Sequence, residues 1–75
     1  SITSFTMYPN PTTGRVTIEL ENQISDVQIS VVTMLGQIVL ESKETTFDVS
    51  GLASGIYLVQ ITSEQGASAK RLVKQ

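Results

Sequence analysis

The sequence contains no cysteine and no histidine. Without cysteine, the chain can form no disulfide and offers neither a thiol nucleophile nor a thiolate metal ligand. Without histidine, it lacks the side chain most often used for acid–base catalysis and for metal binding. Both absences argue against an enzyme, so we expect no catalytic residue, no metal ligand and no cofactor site.

Long apolar runs are also missing. No stretch approaches the roughly 20 apolar residues that a membrane helix needs, and no basic-then-apolar signal peptide opens the chain. Because the first residue is Ser1 rather than methionine, we expect residues 1–75 to be one domain from a longer protein. A chain of this length buries only about 60% of the surface that its unfolded form exposes, so its core must be small.

Positive charge is scarce outside the tail of the chain. All acidic residues lie at or before Glu64, whereas Lys70, Arg71 and Lys74 lie close to the end. The body is therefore acidic and the tail basic. Three basic side chains are too few to indicate nucleic-acid binding, which requires a broad basic face with stacking aromatic residues.

Valine, isoleucine and threonine are abundant, and their branched side chains favour strands over helices. Apolar and polar residues alternate over Val16–Leu20, Val27–Val31 and Tyr57–Ile61, as is typical of strands with one buried face. The strands predicted are 4–8, 15–21, 26–33, 37–42, 45–49, 56–62 and 67–74. About seven short antiparallel strands, separated by frequent turns, predict an all-β fold, an immunoglobulin-like β-sandwich.

Turn signals separate the predicted strands. Two prolines remove two backbone donors from Pro9–Gly14, which must therefore be a loop. The stretch Met34-Leu35-Gly36 predicts a tight hairpin turn in which Gly36 takes a positive φ. Three further turns or loops are predicted: a loop starting at Glu21, a long turn over Ser50–Gly55, and the closing turn of the last hairpin at Gln65-Gly66.

The Tyr8-Pro9-Asn10-Pro11 motif has two interpretations. In a structural role, Tyr8 packs at the end of the sandwich and the rigid loop carries the chain from the first strand to the second. In a functional role, the loop is a recognition epitope for a partner. The structural role is favoured.

The Asp48-Val49-Ser50-Gly51-Leu52 segment also has two interpretations. Asp48 and Ser50 could accept backbone N–H bonds and fix a turn, while Leu52 fills the core. A catalytic role would need a general base, and the chain has no histidine to supply one, so the turn is favoured. Four other acidic residues could in principle form a metal site or a glycosidase pair, but they lack the spacing of a metal loop and are interpreted as solvated surface charges: Asp26, Glu41, Glu44 and Glu64.

These segments resemble a known family when taken in order. Tyr8-Pro9-Asn10-Pro11 precedes a strand, a D-x-S-x-L-x-x-G-x-Y pattern follows, and a hairpin with a basic-apolar strand ends the chain. The matching residues are Asp48, Ser50, Leu52, Gly55 and Tyr57, then Gly66 and Lys70, Arg71, Leu72, Val73 and Lys74. From about Phe5 to Gln75 the chain resembles the C-terminal sorting domain, type A, of the type IX secretion system, also called the Por secretion system.

One position departs from the family pattern. The family usually places an aspartate before the two apolar residues and the glycine of the Met34-Leu35-Gly36 turn. Thr33 stands there instead. A threonine hydroxyl can make a weaker turn bond than a carboxylate.

The resemblance implies that the domain is a secretion signal and not a catalyst. The implied partners are the outer-membrane type IX translocon and a sortase-like protease that removes the domain, with no nucleic acid and no small-molecule substrate. The cargo would precede Ser1, cross the periplasm of a Gram-negative Bacteroidetes-type bacterium, and be released or linked to lipopolysaccharide on the cell surface. The domain would be a monomer or a weak dimer formed through an edge strand.

The terminal hairpin, Ile56–Gln75, is the expected docking element. It would offer an exposed strand edge and basic side chains, and a partner could bind by adding a strand. The expected recognition residues are Lys70, Arg71, Leu72, Val73 and Lys74. Alternatively, these charges only protect an exposed sheet edge from association with other chains.

Two other functions fit a small sandwich. An adhesion or carbohydrate-binding module would need exposed aromatic platforms, and the chain has no tryptophan and only Phe5, Tyr8, Phe47 and Tyr57, of which Tyr57 is expected in the core. A structural spacer between catalytic domains would need sequence on both sides.

Overall fold

The computed structural model describes residues 5–20, 26–64 and 66–75. These residues form no helix and the following strands: β1 (Phe5–Tyr8), β2 (Arg15–Leu20), β3 (Gln28–Thr33), β4 (Ile38–Ser42), β5 (Thr46–Asp48), β6 (Gly55–Ser63) and β7 (Gly66–Lys74). All the predicted strands are confirmed, with small shifts at their ends. The loop predicted from Glu21 and the Gln65 position of the last turn lie outside the described residues.

Two antiparallel sheets make up the fold. One has the strand order β1-β2-β5 and the other β4-β3-β6-β7. Every pair of neighbouring strands within each sheet is antiparallel. This arrangement confirms the predicted all-β sandwich. In the portion of the chain that is described, no helix could cross a membrane.

The core lies between the two sheets. It is built mainly from the inward-facing residues of strands in which buried and exposed positions alternate. Its fully buried aliphatic residues are Val16, Ile29, Val31, Val49, Val59, Ile61 and Leu72, with Phe5 almost completely buried beside them. Burying a side chain of this size contributes about 1.5–3 kcal/mol, so a domain with so few of them depends on each one. Tyr57 is also buried in this cluster, which confirms its assignment to the core.

The β3–β4 hairpin turn is held by Thr33. Its hydroxyl oxygen accepts hydrogen bonds from the backbone N–H groups of Leu35 at 3.3 Å and Gln37 at 3.2 Å. Gly36 has a φ of 91°, as predicted, a conformation that costs little only without a Cβ atom. Thr33 therefore makes the turn bonds expected of the usual aspartate. The two apolar residues of the turn point into solvent, Leu35 with 91% of its surface exposed.

The substitution Leu72→Ala tests the dependence on the small core. Leu72 is fully buried, so we expect its truncation to lower the free energy of unfolding by about 2–5 kcal/mol. Leu35→Ala, at an exposed position, should change it by less than about 0.5 kcal/mol. Urea unfolding followed by circular dichroism measures both values. Equal effects of the two substitutions would contradict this assignment of the core.

Candidate functional site: the clamped terminal strand

Strand β7 lies at one edge of the four-stranded sheet, where β6 is its neighbour. The pairing is continuous from Ser63↔Gly66 to Gly55↔Lys74. In an antiparallel ladder, alternate residues direct their N–H and C=O groups toward the partner strand, and the residues between them direct theirs away. One set of β7 backbone groups therefore faces the sheet edge.

The side chain of Asn10 occupies part of this edge. Its Nδ2 donates a hydrogen bond to the carbonyl oxygen of Arg71 at 2.9 Å, and its Oδ1 accepts one from the N–H of Val73 at 3.0 Å. A primary amide carries one acceptor and a pair of donors, so it can imitate the backbone of a neighbouring strand. Asn10 thus pairs with β7 as a short strand would.

Thr12 continues the same pairing with its backbone. Its N–H donates to the carbonyl of Val73 at 2.9 Å, and its carbonyl accepts from the N–H of Gln75 at 2.8 Å. The Thr12 hydroxyl donates to the carbonyl of Arg15 at 3.3 Å and accepts from the N–H of Gly14 at 3.1 Å, so the buried side chain fixes the loop. We call the Asn10 and Thr12 contacts with β7 the clamp.

The clamp explains the structural role of the Tyr8-Pro9-Asn10-Pro11 motif. Pro9 and Pro11, which flank Asn10, have no backbone N–H group. No backbone donor on either side of Asn10 therefore needs a hydrogen-bond partner where the loop reaches β7. Tyr8 does not pack at the sandwich end as expected. It is half-exposed on β1, and its hydroxyl donates to the Glu19 carboxylate on β2. This hydrogen bond to a carboxylate raises the pKa of Tyr8.

The basic residues of β7 do not form one surface. The Lys70 ammonium lies 5.5 Å from the centre of the Phe5 ring, on the side facing the other sheet. Lys74 points the same way and is only 8% exposed, and its Nζ donates to the carbonyl of Gln75 at 2.8 Å. Arg71 lies on the opposite, outer face and is exposed. Because successive side chains of a strand point to opposite faces, charges that are close in the sequence are separated in the fold.

Asp48 and Ser50 form a turn. Asp48 Oδ1 accepts the Ser50 N–H at 2.8 Å, and the Leu52 N–H donates to the Val49 carbonyl at 2.9 Å. Hydrogen bonds from the Ser50 backbone and hydroxyl, with a smaller contribution from the charge of Arg15, lower the pKa of Asp48. Leu52 is partly buried against the core, as expected.

Tyr57 and Gly55 close the same segment. The Tyr57 hydroxyl donates to the carbonyl of Ala53 at 2.7 Å, while its ring is buried. A tyrosine at the start of this strand, bonded to the backbone a few residues upstream, is a feature of immunoglobulin-like sandwiches. Gly55 has a φ of 154° where the chain enters β6. The D-x-S-x-L-x-x-G-x-Y residues therefore build one corner of the fold.

The described residues form few of the side-chain arrangements that bind metals or sugars. Within residues 5–20, 26–64 and 66–75, no three potential metal ligands come together. The four aromatic residues form no platform for sugar binding, because Phe5, Phe47 and Tyr57 are buried and only Tyr8 is half-exposed. The fold and its motifs define an immunoglobulin-like module in which the patterned residues serve turns, corners and the edge of one strand.

The family model for the secretion system C-terminal sorting domain matches residues 6–75. The chain belongs to this family, the sorting domains of the type IX secretion system. Its members are sorting signals, and the family is not an enzyme family. Such a domain marks a protein that is exported across the outer membrane to the medium or the cell surface. No curated protein matches the chain.

The clamp and the Tyr57 hydroxyl bond are among the contacts that were not predicted from the sequence. The clamp joins Asn10 to residues more than 60 positions away, and no periodicity signals such a pair. The only hint was the asparagine between two prolines, because an asparagine side chain can make the hydrogen bonds that a neighbouring backbone would make. The Tyr57 hydroxyl bond could have been found from the spacing of the tyrosine after the turn, since this corner recurs in such folds.

The substitution Asn10→Ala tests the clamp. It removes two hydrogen bonds to β7, so we expect the free energy of unfolding to fall by about 1–3 kcal/mol. Thr13→Ala, at an exposed position in the same loop, serves as the control and should have little effect. Chemical unfolding of both purified variants measures the difference. A variant at position 10 as stable as the control would show that Asn10 does not hold the strand.

The pH dependence of stability tests the Asp48 turn. A carboxyl group whose pKa is lowered by folding stabilises the fold above its unfolded pKa of about 3.9, and this stabilisation is lost as the pH falls through the folded value. We therefore expect stability to decline as the pH drops from about 5 toward 2, and to decline less in Asp48→Asn. Thermal unfolding across this range measures both. An identical decline in the two proteins would contradict the assignment.

Proposed function

We propose that this domain directs a cargo protein, located upstream of Ser1, through the outer-membrane type IX translocon of a Gram-negative Bacteroidetes-type bacterium. The family match over residues 6–75 carries this proposal. It includes every described strand except the first residue of β1. The domain itself contributes no catalytic step.

The route of the cargo follows from this role. The cargo crosses the periplasm with the sandwich folded behind it, and a sortase-like protease removes the domain by cutting upstream of or near Ser1. The cargo is then released or linked to lipopolysaccharide. A cut ahead of β1 is consistent with the fold, because it severs none of the strand pairs between β1 and β7.

The partner recognises the folded sandwich rather than a linear tail. Leu72 and Lys74 are buried, so a partner could read the sequence Lys70-Arg71-Leu72-Val73-Lys74 as a linear peptide only after the strand had left the sheet. In the folded domain, only the outer-face side chains of this segment, Arg71 and Val73, face away from the core. Recognition by this segment is therefore assigned to Arg71 and Val73, with Leu72 and Lys74 holding the strand in place.

We infer that the domain does not dimerise through the second half of β7. Such a dimer would need an edge that the clamp already fills from Arg71 to Gln75. A strand of a second copy would have to displace four hydrogen bonds before making its own.

Export of a reporter fused upstream of Ser1 tests the proposed function. We expect surface or medium signal in a type IX-competent bacterium and none in a translocon-deficient strain. The variant Leu72→Asp, which places a charge in the core, should fail in both strains because recognition needs the folded domain. Deleting β7 is a poorer test, since it removes Leu72 and confuses folding with docking.

Retention of the wild-type reporter in the periplasm of both strains would contradict the proposal. In that case, protease resistance of the retained fusion must verify that the wild-type domain is folded. Titration of purified domain with glycans would then decide whether it is a carbohydrate-binding module.

A further inference from the structure

The outward edge of β7 is divided into a closed part and an open part. From the carbonyl of Arg71 to the N–H of Gln75, the clamp satisfies the outward groups. Because outward groups recur at every second residue, Ala67 and Ala69 also direct their N–H and C=O groups away from β6. No described residue bonds to the outward groups of these two alanines.

The open part is flanked by small side chains. Ala67 pairs with Thr62 and Ala69 with Gln60, and all four side chains are exposed on the outer face of the sheet. Together with Ser68 they line an open depression of about 340 Å³. A depression beside an unpaired strand edge can receive a side chain from an added strand, as in other strand-addition complexes.

Other edge strands are less suitable for strand addition. β1 and β5 are short, with four and three residues. β4 pairs with β3 through a register shift next to Val32, and it carries Glu41 with Lys43 just beyond its end. Bulges, short length and charge are the features that prevent pairing at sheet edges. β7, with nine residues, is regular along its open part.

The charge next to the open part selects the partner. Arg71 stands where the open part meets the clamp, exposed on the outer face, and Lys70 precedes it. A strand laid along Ala67 to Arg71 would bring one of its own side chains beside the Arg71 guanidinium. A carboxylate there would form a charge-assisted hydrogen bond.

We propose that the open part of β7 binds an extended segment of a partner protein as an additional strand. The segment is about five residues long, because pairing is residue for residue along Ala67–Arg71. It places a small or medium apolar side chain in the depression and an acidic side chain against Arg71. The proposal rests on the proposed function, since the segment belongs to the secretion machinery.

The substitution Ala69→Pro tests this site with Ala69→Ser as its matched control. The Ala69 N–H faces outward and is not used within the sheet, and proline is tolerated at such edge positions. Proline removes the donor and blocks the approach of a strand, whereas serine keeps the donor. In the reporter assay we expect Ala69→Pro to reduce export about tenfold or more, the equivalent of about 1.4 kcal/mol, and Ala69→Ser to match the wild-type protein.

A second pair of variants leaves the backbone unchanged. Ala69→Glu fills the depression with a carboxylate that would repel the acidic partner segment, and we expect it also to reduce export. Gln37→Glu adds the same charge at the exposed β3–β4 turn, toward the opposite edge of the sheet, and should not reduce export. This pair decides the question if Ala69→Pro fails to fold, as judged by its thermal unfolding.

The outcomes separate this proposal from the proposed function. Lack of export of the wild-type reporter in the competent strain would contradict the function itself. Normal wild-type export together with normal export of folded Ala69→Pro, or of Ala69→Glu where the proline variant does not fold, would overturn the docking site and leave the function intact. Loss of export in the two position-69 variants but not in their controls supports the site.

Discussion

The state of the β7 edge depends on the pairing of one asparagine side chain with the backbone of this last strand. The Asn10 amide supplies an acceptor to Val73 and a donor to Arg71, the same groups that a neighbouring strand would supply. Through this contact, and the backbone of Thr12 beyond it, the loop after β1 crosses from one sheet to the edge of the other. Without this contact, the nine-residue strand β7 would leave the backbone groups of its outer edge unpaired along its whole length. The clamp pairs them over the second half of the strand.

This closure divides the tasks of the last strand. In the clamped half, the inward side chains of Leu72 and Lys74 are buried, so they maintain the fold. The other half keeps outward backbone groups with small side chains beside them, and we propose that its role is recognition. In our proposal the sorting signal is recognised as a three-dimensional edge. Strand alternation places Arg71 on the outer face and turns Lys70 and Lys74 toward the opposite sheet, where Lys74 is buried and Lys70 stays exposed.

Local patterns in the sequence were enough to predict the strands. Alternation at Val16–Leu20 and Tyr57–Ile61 reflects burial on one face, and the positive φ of Gly36 follows from turn chemistry within a few residues. The clamp, the burial of Lys74 and the exposure of Tyr8 could not be predicted in the same way. Each depends on which strands become neighbours across the sandwich, and that arrangement joins residues far apart in the chain. The resemblance to the family was carried by the order of several short motifs, whose physical roles the fold explains, and the family match over residues 6–75 confirms it.

Amide hydrogen exchange along β7 in the purified wild-type domain tests the central claim most directly. The account predicts slow exchange at Val73, whose N–H is bonded to Asn10, and fast exchange at Ala67 and Ala69, whose outward N–H groups have no partner among the described residues. The inward amides of Lys70 and Leu72, which face β6, provide the protected reference on the same strand. Fast exchange at Val73 would contradict the clamp, and slow exchange at both alanines would contradict the open edge.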